Sequence, residues 1–482
     1  MGNSSKTYHV GTLVYTRATL AVLFCWLFWG DICYTLMETV VPSILPVTLK
    51  NLDASNLAMG IILASIPLSA ASLCNPVISF KSDRFRSKWG RRIPFIILSL
   101  PLLVMALLGV GTAANFGVWL HRHVGVFTAG LSASQFSIAL IAIMMVFFSV
   151  LNMFVGSVFW YLFNDVVPEH FIARFMSWFR IISTLATAGF NWFLLKYAPS
   201  HAPAIFTGAA ILYAVGFTLM CFNVKEGDYP PPPEYAGGGK RGAVAAIKTY
   251  MKECFSTPLY NYIFLAWMCI VAGQVSGTYS LLFTLSLGLT LEQIGHIAAM
   301  GGGVMMVTIF ISGWLADKYH PLRIALVGLA GFCFLFLPAM SIWIFFKPSP
   351  TASFYLIAFI TIFLLNTTWA CVSMMDPVVP LRLFPRERVG QFCSANAATR
   401  SAAGIVAAPV LGYALDLLAT HVGKERAYAF IPVWQFVFHF LALLCVIQVY
   451  RHWKRFGGDD NYVARINGID NATEETLAKL NQ

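Results

Sequence analysis

Between residues 82 and 95 the chain reads SDRFRSKWGRRIPF, and this stretch decides what kind of protein it is. It carries Arg84, Arg86, Lys88, Arg91 and Arg92 with the single acid Asp83, in a chain whose charged residues make up only 11%. On one side lies the apolar run SNLAMGIILASIPLSAASLCNPVISF (Ser55–Phe80); on the other a second run begins at Ile93. About 20 apolar residues are enough to cross a bilayer. Five cations wedged between two such runs mark a loop on the side of the membrane that keeps positive charge.

The composition around this stretch agrees. The 482 residues are 58% hydrophobic and 15% aromatic, with a mean hydropathy of +0.71. A water-soluble domain of ordinary size carries about 25% charged residues. With less than half of that, the chain cannot cover its outside with solvated groups, and it must face lipid. The net charge of +11 does not point to nucleic acid. Roughly 24 of the 32 Lys and Arg fall in segments assigned to one side and about 6 on the other, which is a topology signal.

Candidate spans start near Leu20, Ser55, Ile93, Phe136, Ser177 and Ala204, and resume near Leu259, Leu291, Ile324, Phe354, Ser394 and Phe430. The interruption holds YPPPPEY (Tyr229–Tyr235), GGGKRG (Gly237–Gly242) and the amphipathic AVAAIKTYMKECF (Ala243–Phe255). Pro- and Gly-rich stretches are linkers. Lys240, Arg241, Lys248 and Lys252 would lie at cytoplasmic headgroups, which puts both termini inside. The organisation expected is a six-helix bundle over 1–224, a cytoplasmic linker over 225–258, a second six-helix bundle over 259–450 and a cytoplasmic tail over 451–482. The first span reads as uncleaved, because no cleavage site closes a short apolar run. Gly2 and Ser5 resemble a myristoylation signal, read as coincidence, and Asn471–Thr473 matches a glycosylation sequon, read as unused because it falls on the cytoplasmic tail.

The two halves repeat. WLADKYHPLRIAL (Trp314–Leu326) follows the eighth span as the opening stretch follows the second, so Asp83-Arg84 matches Asp317-Lys318 and Arg92-Ile93 matches Arg323-Ile324. DVVPEHFIARFMS (Asp165–Ser177) and RLFPRERVGQFCS (Arg382–Ser394) align Pro168, Phe175 and Ser177 with Pro385, Phe392 and Ser394. In the first span of each half, Gly30-Asp31 aligns with Gly273-Gln274. Many secondary transporters are built from such repeats, with the solute bound near mid-membrane.

The stretch SDRFRSKWGRRIPF resembles the loop between helices two and three of major facilitator proteins. Within them it is similar to the form seen in sucrose-type transporters and the glycoside–pentoside–hexuronide:cation symporters. There a Gly- or Ser-Asp-Arg is followed by a basic run and Gly-Arg-Arg-x-Pro-Phe. NDVVPEHFIARFMS (Asn164–Ser177) is similar to the same family's acidic-Val-Pro-x-x-x-x-Arg connection. The resemblance implies an all-α membrane protein with twelve transmembrane helices in two pseudo-symmetric bundles. It does not name the coupling acid. Sodium-coupled members keep carboxylates in the second helix, and Ser55–Phe80 has none. An acid is expected within the fourth helix of proton-coupled sucrose carriers, whereas this chain has Asn152 there and Asp165 only at the end.

Ionisable groups inside a bilayer are costly unless paired or hydrated, so each is a functional candidate. Asp31 lies about eleven residues into the first span, about 16 Å deep at 1.5 Å per residue. Glu38 is seven residues on, with Tyr34 between them on one helical stripe. Two acids and a phenol so placed can bind sugar hydroxyls, and one acid can gain and lose a proton in each cycle. The plainer reading of Asp31 is an ion pair that only holds helices together. Arg400, deep in the eleventh span, and Arg180, a turn or two inside the fifth, are the charge partners, Arg400 for Asp31 or Glu38; Arg400 can also bind solute directly. Asn152, Gln274 and Asn366 can hydrogen-bond a solute and Trp160 and Trp369 can stack on a sugar ring, although helix packing explains each of these five as well.

Asp83, Arg84, Arg92, Asp165, Asp317 and Asp376 read as a gating latch on one membrane face. Arg86, Lys88 and Arg91 read as topology charge alone. Of the histidines only His296 and His439 fall inside spans, where packing suffices. The ten cysteines form no CxxC or His/Cys cluster and read as small apolar residues. No metal and no cofactor is expected.

The reading is thus a transporter and not an enzyme: a proton-coupled symporter of a glycoside or small oligosaccharide, with sodium the lesser candidate. It is expected to be monomeric in the cell membrane and to bind no nucleic acid. The nearest alternative is the same fold carrying an organic anion or another small solute. A membrane-embedded glycosyltransferase would need an extramembrane domain or an acidic metal cluster at a loop edge, and an ion channel a repeated filter segment; the sequence offers neither.

Overall fold

The computed structural model describes residues 7–123, 130–229, 250–346, 348–385, 388–462 and 464. The myristoylation signal, Lys240, Arg241, Lys248, the sequon and most of the tail lie outside the described residues.

Backbone groups in hydrocarbon must be satisfied within their own segment, and the helix does this. Each apolar run is accordingly helical: α1 Arg17–Asn51, α2 over 56–84, α3 Ile93–His123, α4 Ala133–Val166, α5 Glu169–Gly189 and α6 Ala198–Asn223. There follow α7 Pro258–Gln274, α8 Leu291–Tyr319, α9 Pro321–Phe345, α10 Pro350–Ser373, α11 Val389–Val422 and α12 Ile431–Arg455. The start of α1 is set by a capping box, in which Thr16 accepts from the Thr19 amide at 3.3 Å while the Thr16 amide donates to the Thr19 hydroxyl at 2.8 Å. Before it, Tyr8–Val10 and Leu13–Tyr15 pair as a short antiparallel hairpin that turns on Gly11 at φ +54.

Eleven helical runs among the described residues are long and apolar enough to cross a membrane. One of them, Glu169–Asn223, has 55 residues and contains both α5 and α6. A straight helix of that length would span about 80 Å against a hydrocarbon core of about 30 Å. It is broken instead by a π-turn at Phe190–Leu194, a 3-10 turn at Leu195–Tyr197 and a non-helical His201. The run supplies two segments, and with them the twelve that the sequence predicts.

The chain divides into two compact units: Met1–Glu234 with Thr278–Leu285 and Thr290–Ala299, and Tyr235–Gly277 with Ser286–Leu289 and Met300–Gln482. Inside the first, α1 packs on α5 and α6, α3 on α4 and α6, and α2 on α4. Inside the second, α7 packs on α11 and α12, and α9 on α10 and α12. The pairings of α1 and α3 in the first unit thus repeat in the other, six helices on. The repeat extends to single residues. At Gly30 a Cβ would overlap the Met220 sulfur on α6, and at Gly273 one would overlap the His439 ring on α12. Small residues at such crossings let helices approach, which in lipid is what packing has to offer in place of a hydrophobic drive.

The second unit's core gathers Tyr260, Phe264, Phe384, Phe392 and Trp453, all nearly inaccessible. Large apolar side chains such as Leu98, Met105, Phe193 and Phe345 point outward with more than half their surface open. A water-soluble protein rarely exposes apolar surface on this scale; here it meets hydrocarbon.

Candidate functional site

The polar interior of the first unit is built on one face of α1. Asp31 is 1% exposed. Its Oδ1 accepts from the Thr35 hydroxyl one turn on, at 3.3 Å, and its Oδ2 from the Ser183 hydroxyl of α5, at 2.7 Å. Two turns along, Glu38 accepts from the Asn152 amide of α4 and from the Tyr34 hydroxyl. Gly156, one turn after Asn152, makes the room: a Cβ there would stand 2.5 Å from the Tyr34 oxygen. Thr39 and Thr187 extend the ladder with hydroxyls 3.4 Å apart.

Neither carboxylate makes an ion pair among the described residues. Arg180, one turn before Ser183, lies within electrostatic reach of Asp31 but forms no ion pair itself among the described residues. Around the ladder, the Asn152 Oδ1, the Ser149 hydroxyl and the Tyr213 hydroxyl have no partner among the described residues. Among the described residues the cluster therefore holds two acids without ion-pair partners, and unspent hydrogen-bonding capacity. Trp160 packs edge-on against Phe179 and Phe163, with ring centroids at 5.2 and 5.8 Å, and keeps 38% of its surface open. Asn75 on α2, absent from the sequence reading, accepts from Ser157 at 2.9 Å and Tyr161 at 3.2 Å.

The second unit corrects several expectations. Arg400 is paired with Asp376 at 2.6 Å and its guanidinium lies 4.3 Å from the Trp267 ring centre. Its ion-pair partner among the described residues is thus Asp376, where the sequence offers Asp31 or Glu38. Asn366 donates to the Thr361 and Ile362 carbonyls at 2.7 and 3.3 Å, closing the π-turn at Ile360–Leu365. Its donors are spent inside its own helix. Trp369 is half-buried and packs against Phe332 and His439, with ring centroids at 5.6 and 6.1 Å. Gln274 is exposed. His439 is buried, with its Nδ1 against the Gln435 carbonyl at 2.8 Å. His296, in the first unit, stacks on Trp192 at 4.0 Å. Both histidines pack, as the sequence indicates.

The charged loop is more ordered than topology alone requires. Asp165 at the end of α4 receives Arg91 at 2.5 and 2.9 Å and Arg92 at 3.0 Å. Arg92 also reaches Asp83 and the Ser82 hydroxyl, each at 2.5 Å, and lies over the Tyr161 ring. Arg91, which the sequence marks as topology charge, is one prong of this fork, and its hydrogen bond to Asp165 holds its guanidinium above the ordinary range. Arg84 is half-buried beside them. Among the described residues Asp317 pairs only with Arg382, at 3.8 Å and largely exposed. The latch acids are therefore each paired inside their own unit. Among the described residues no group of three or more His, Cys, Asp or Glu is placed to hold a metal.

The sequence profile of the Major Facilitator Superfamily matches residues 27–409. The chain belongs to this superfamily. It is thus a multi-pass membrane transporter of small-molecule solutes and not an enzyme. Solved structures of the same fold include the nucleoside transporter NupG, at 12% identity and TM-score 0.59 over 90% of this chain and 99% of that one. A bacterial homologue of the iron transporter ferroportin matches at 16% identity and TM-score 0.61, covering 89% and 99%. The xylose transporter XylE from E. coli matches at 13% and 0.56, covering 96% and 99%. At such identities these likenesses show the major facilitator fold alone.

Proposed function

We propose that this major facilitator protein is a proton-coupled symporter of a glycoside or small oligosaccharide, of the sucrose-type branch, working by alternating access. One observation carries the reading. Asp31 and Glu38 lie on one face of α1, each held by neutral hydrogen-bond donors and neither ion-paired among the described residues. An ionised carboxyl inside a membrane is costly without a counter-charge. Proton binding relieves that cost, and solute hydroxyls can use the capacity left on Asn152, Ser149 and Tyr213. In this reading Asp31 carries the proton, Glu38 and Asn152 bind solute, and Trp160 offers its open face to a sugar ring. Gln274 and Arg400 are the second unit's candidates for solute contact.

The Asp165 fork with Asp83, Arg84 and Arg92 is the gating latch in this account, Arg400–Asp376 and Asp317 being the second half's counterparts. The chain functions in the cell membrane as a monomer with both termini cytoplasmic, organised as 1–224, 225–258, 259–450 and 451–482. Uptake of radiolabelled disaccharides into vesicles under an imposed pH gradient tests the proposal: acid outside stimulates uptake if it holds, and indifference to both proton and sodium gradients refutes it.

Arg180 supports a second reading. It is exposed and makes no ion pair among the described residues, as a binding group for an organic anion would be. Competition of uptake by organic anions and not by sugars, lost in Arg180→Gln, would favour that solute class.

A further inference from the structure

The N-terminus of α3 is capped from far along the chain. A helix start leaves backbone N–H groups without partners. Here Pro94 has none to offer, and the Arg91, Arg92 and Ile93 amides all donate to one carboxylate, that of Glu226, at 2.9, 2.9 and 2.7 Å. The fourth donor is the Tyr229 hydroxyl, at 3.0 Å. The Tyr229 ring lies 4.2 Å from the Arg91 guanidinium and 5.5 Å from that of Arg86. Burial, with Glu226 next to it, keeps the Tyr229 hydroxyl protonated well above the usual range, so it stays a donor.

The loop is shaped for this contact. Gly90 adopts φ +97, and a Cβ there would overlap the Glu226 carboxyl group. Past Glu226, the Asp228 amide donates to the Thr12 hydroxyl at 2.8 Å, which fastens the segment to the N-terminal hairpin. Among the described residues of the second half no such remote cap is present. At the matching place, α9 is capped locally by His320, whose Nδ1 accepts from the Leu322 amide at 3.3 Å. A remote cap on α3 is therefore not something the repeat demands.

We propose that Glu226 is a positioning residue for the 84–92 loop: by binding the three amides it aims Arg91 and Arg92 at Asp165, and with Tyr229 it makes the first residues after α6 part of the latch. A carboxylate at a helix N-terminus is favoured by the helix dipole and by charge-assisted hydrogen bonds. This goes beyond the proposed function and needs no solute. The latch role of the loop is part of that reading, but the tests below run on the purified protein without any ligand, so failure of the sugar assignment leaves them intact.

Two measurements test the proposal. In hydrogen exchange, the peptide covering residues 91–93 is protected in the wild type, and Glu226→Gln, with one acceptor oxygen in place of two, should speed its exchange about tenfold while distant helices keep their rates. Glu226→Ala should do more, and Asp228→Ala, whose side chain makes no part of the cap, should do nothing. In a double-mutant cycle on Tm, Glu226→Gln and Asp165→Asn should be strongly non-additive, because one acts through the arginines that bind the other. Unchanged exchange at 91–93, a uniform rise throughout the protein, or additive Tm shifts would each overturn it. Should Glu226→Ala fail to fold, Glu226→Gln alone decides the matter.

Discussion

The Ser183 hydroxyl of α5 lies 2.7 Å from Oδ2 of Asp31 on α1, and it shares its single proton between that carboxylate and its own helix, at the Phe179 carbonyl 2.9 Å away. The contact needs no cation. It holds the Asp31 carboxyl in place whether or not it is ionised, which is what a group that takes and releases a proton requires.

If Asp31 couples solute to proton, its replacement uncouples them. One pH unit is worth about tenfold accumulation for a carrier moving one proton per solute. Asp31→Asn should reduce the accumulation ratio of labelled disaccharide to about 1, with exchange across preloaded vesicles retained. Full wild-type accumulation in this variant removes Asp31 from the mechanism.

Asp165 is 8% exposed and receives two guanidiniums. Removing one partner of a buried charge group costs about 3–5 kcal/mol. Asp165→Asn should therefore lower Tm in detergent by several degrees, whereas Asp317→Asn, at an exposed 3.8 Å pair, should leave it within about 1 °C, since surface pairs contribute little.

Glycines separate by what stands next to them. Gly273→Ala drives a methyl group into the buried His439 ring, an overpacking that costs about 1–3 kcal/mol. At Gly303 a methyl group would enter open space, with no neighbouring atom within 4 Å, and Gly303→Ala in mid-helix should stabilise by about 0.5–1 kcal/mol. Thermal melts of the two variants should move in opposite directions.

His320, between α8 and α9, has its ring stacked on Trp453 at 4.2 Å, and burial, with Arg382 and Arg323 nearby and Asp459 opposing, lowers its pKa from 6.5 to about 4. The fold holds the neutral ring. Its contribution is complete above pH 6.5 and is lost as pH falls from there to about 4, because the unfolded chain then binds the proton first. His320→Asn, which tolerates φ +76 and still offers a cap acceptor, should melt with a flatter pH dependence than the wild type across that window. Parallel curves would show that His320 does not contribute.

The fold is legible in the sequence because lipid imposes it. Runs of apolar residues must be helices, and a loop such as SDRFRSKWGRRIPF can lie only outside the hydrocarbon. Asp31 and Glu38 are legible for the same reason, as acids where acids are costly. Their partners are not. Ser183 is one serine among many and becomes visible only when α5 is laid against α1. Arg400 reads as a mate for any buried acid, and the choice of Asp376 depends on how α11 turns. Asn366 and Trp369 read as solute contacts because sequence shows residue type but not direction; one turns its amide to its own backbone and the other lies half-buried against Phe332 and His439. Glu226 reaches its three amides from more than 130 positions away, with only Gly90 and Pro94 hinting that the start of α3 needs help.

In the proposed cycle solute and proton move together. Wild-type protein in weakly buffered proteoliposomes, given sucrose outside with no imposed gradient, should make the external medium more alkaline as sugar enters, and Asp31→Asn should abolish the change. Sucrose entry at the wild-type rate with no movement of external pH would contradict the account.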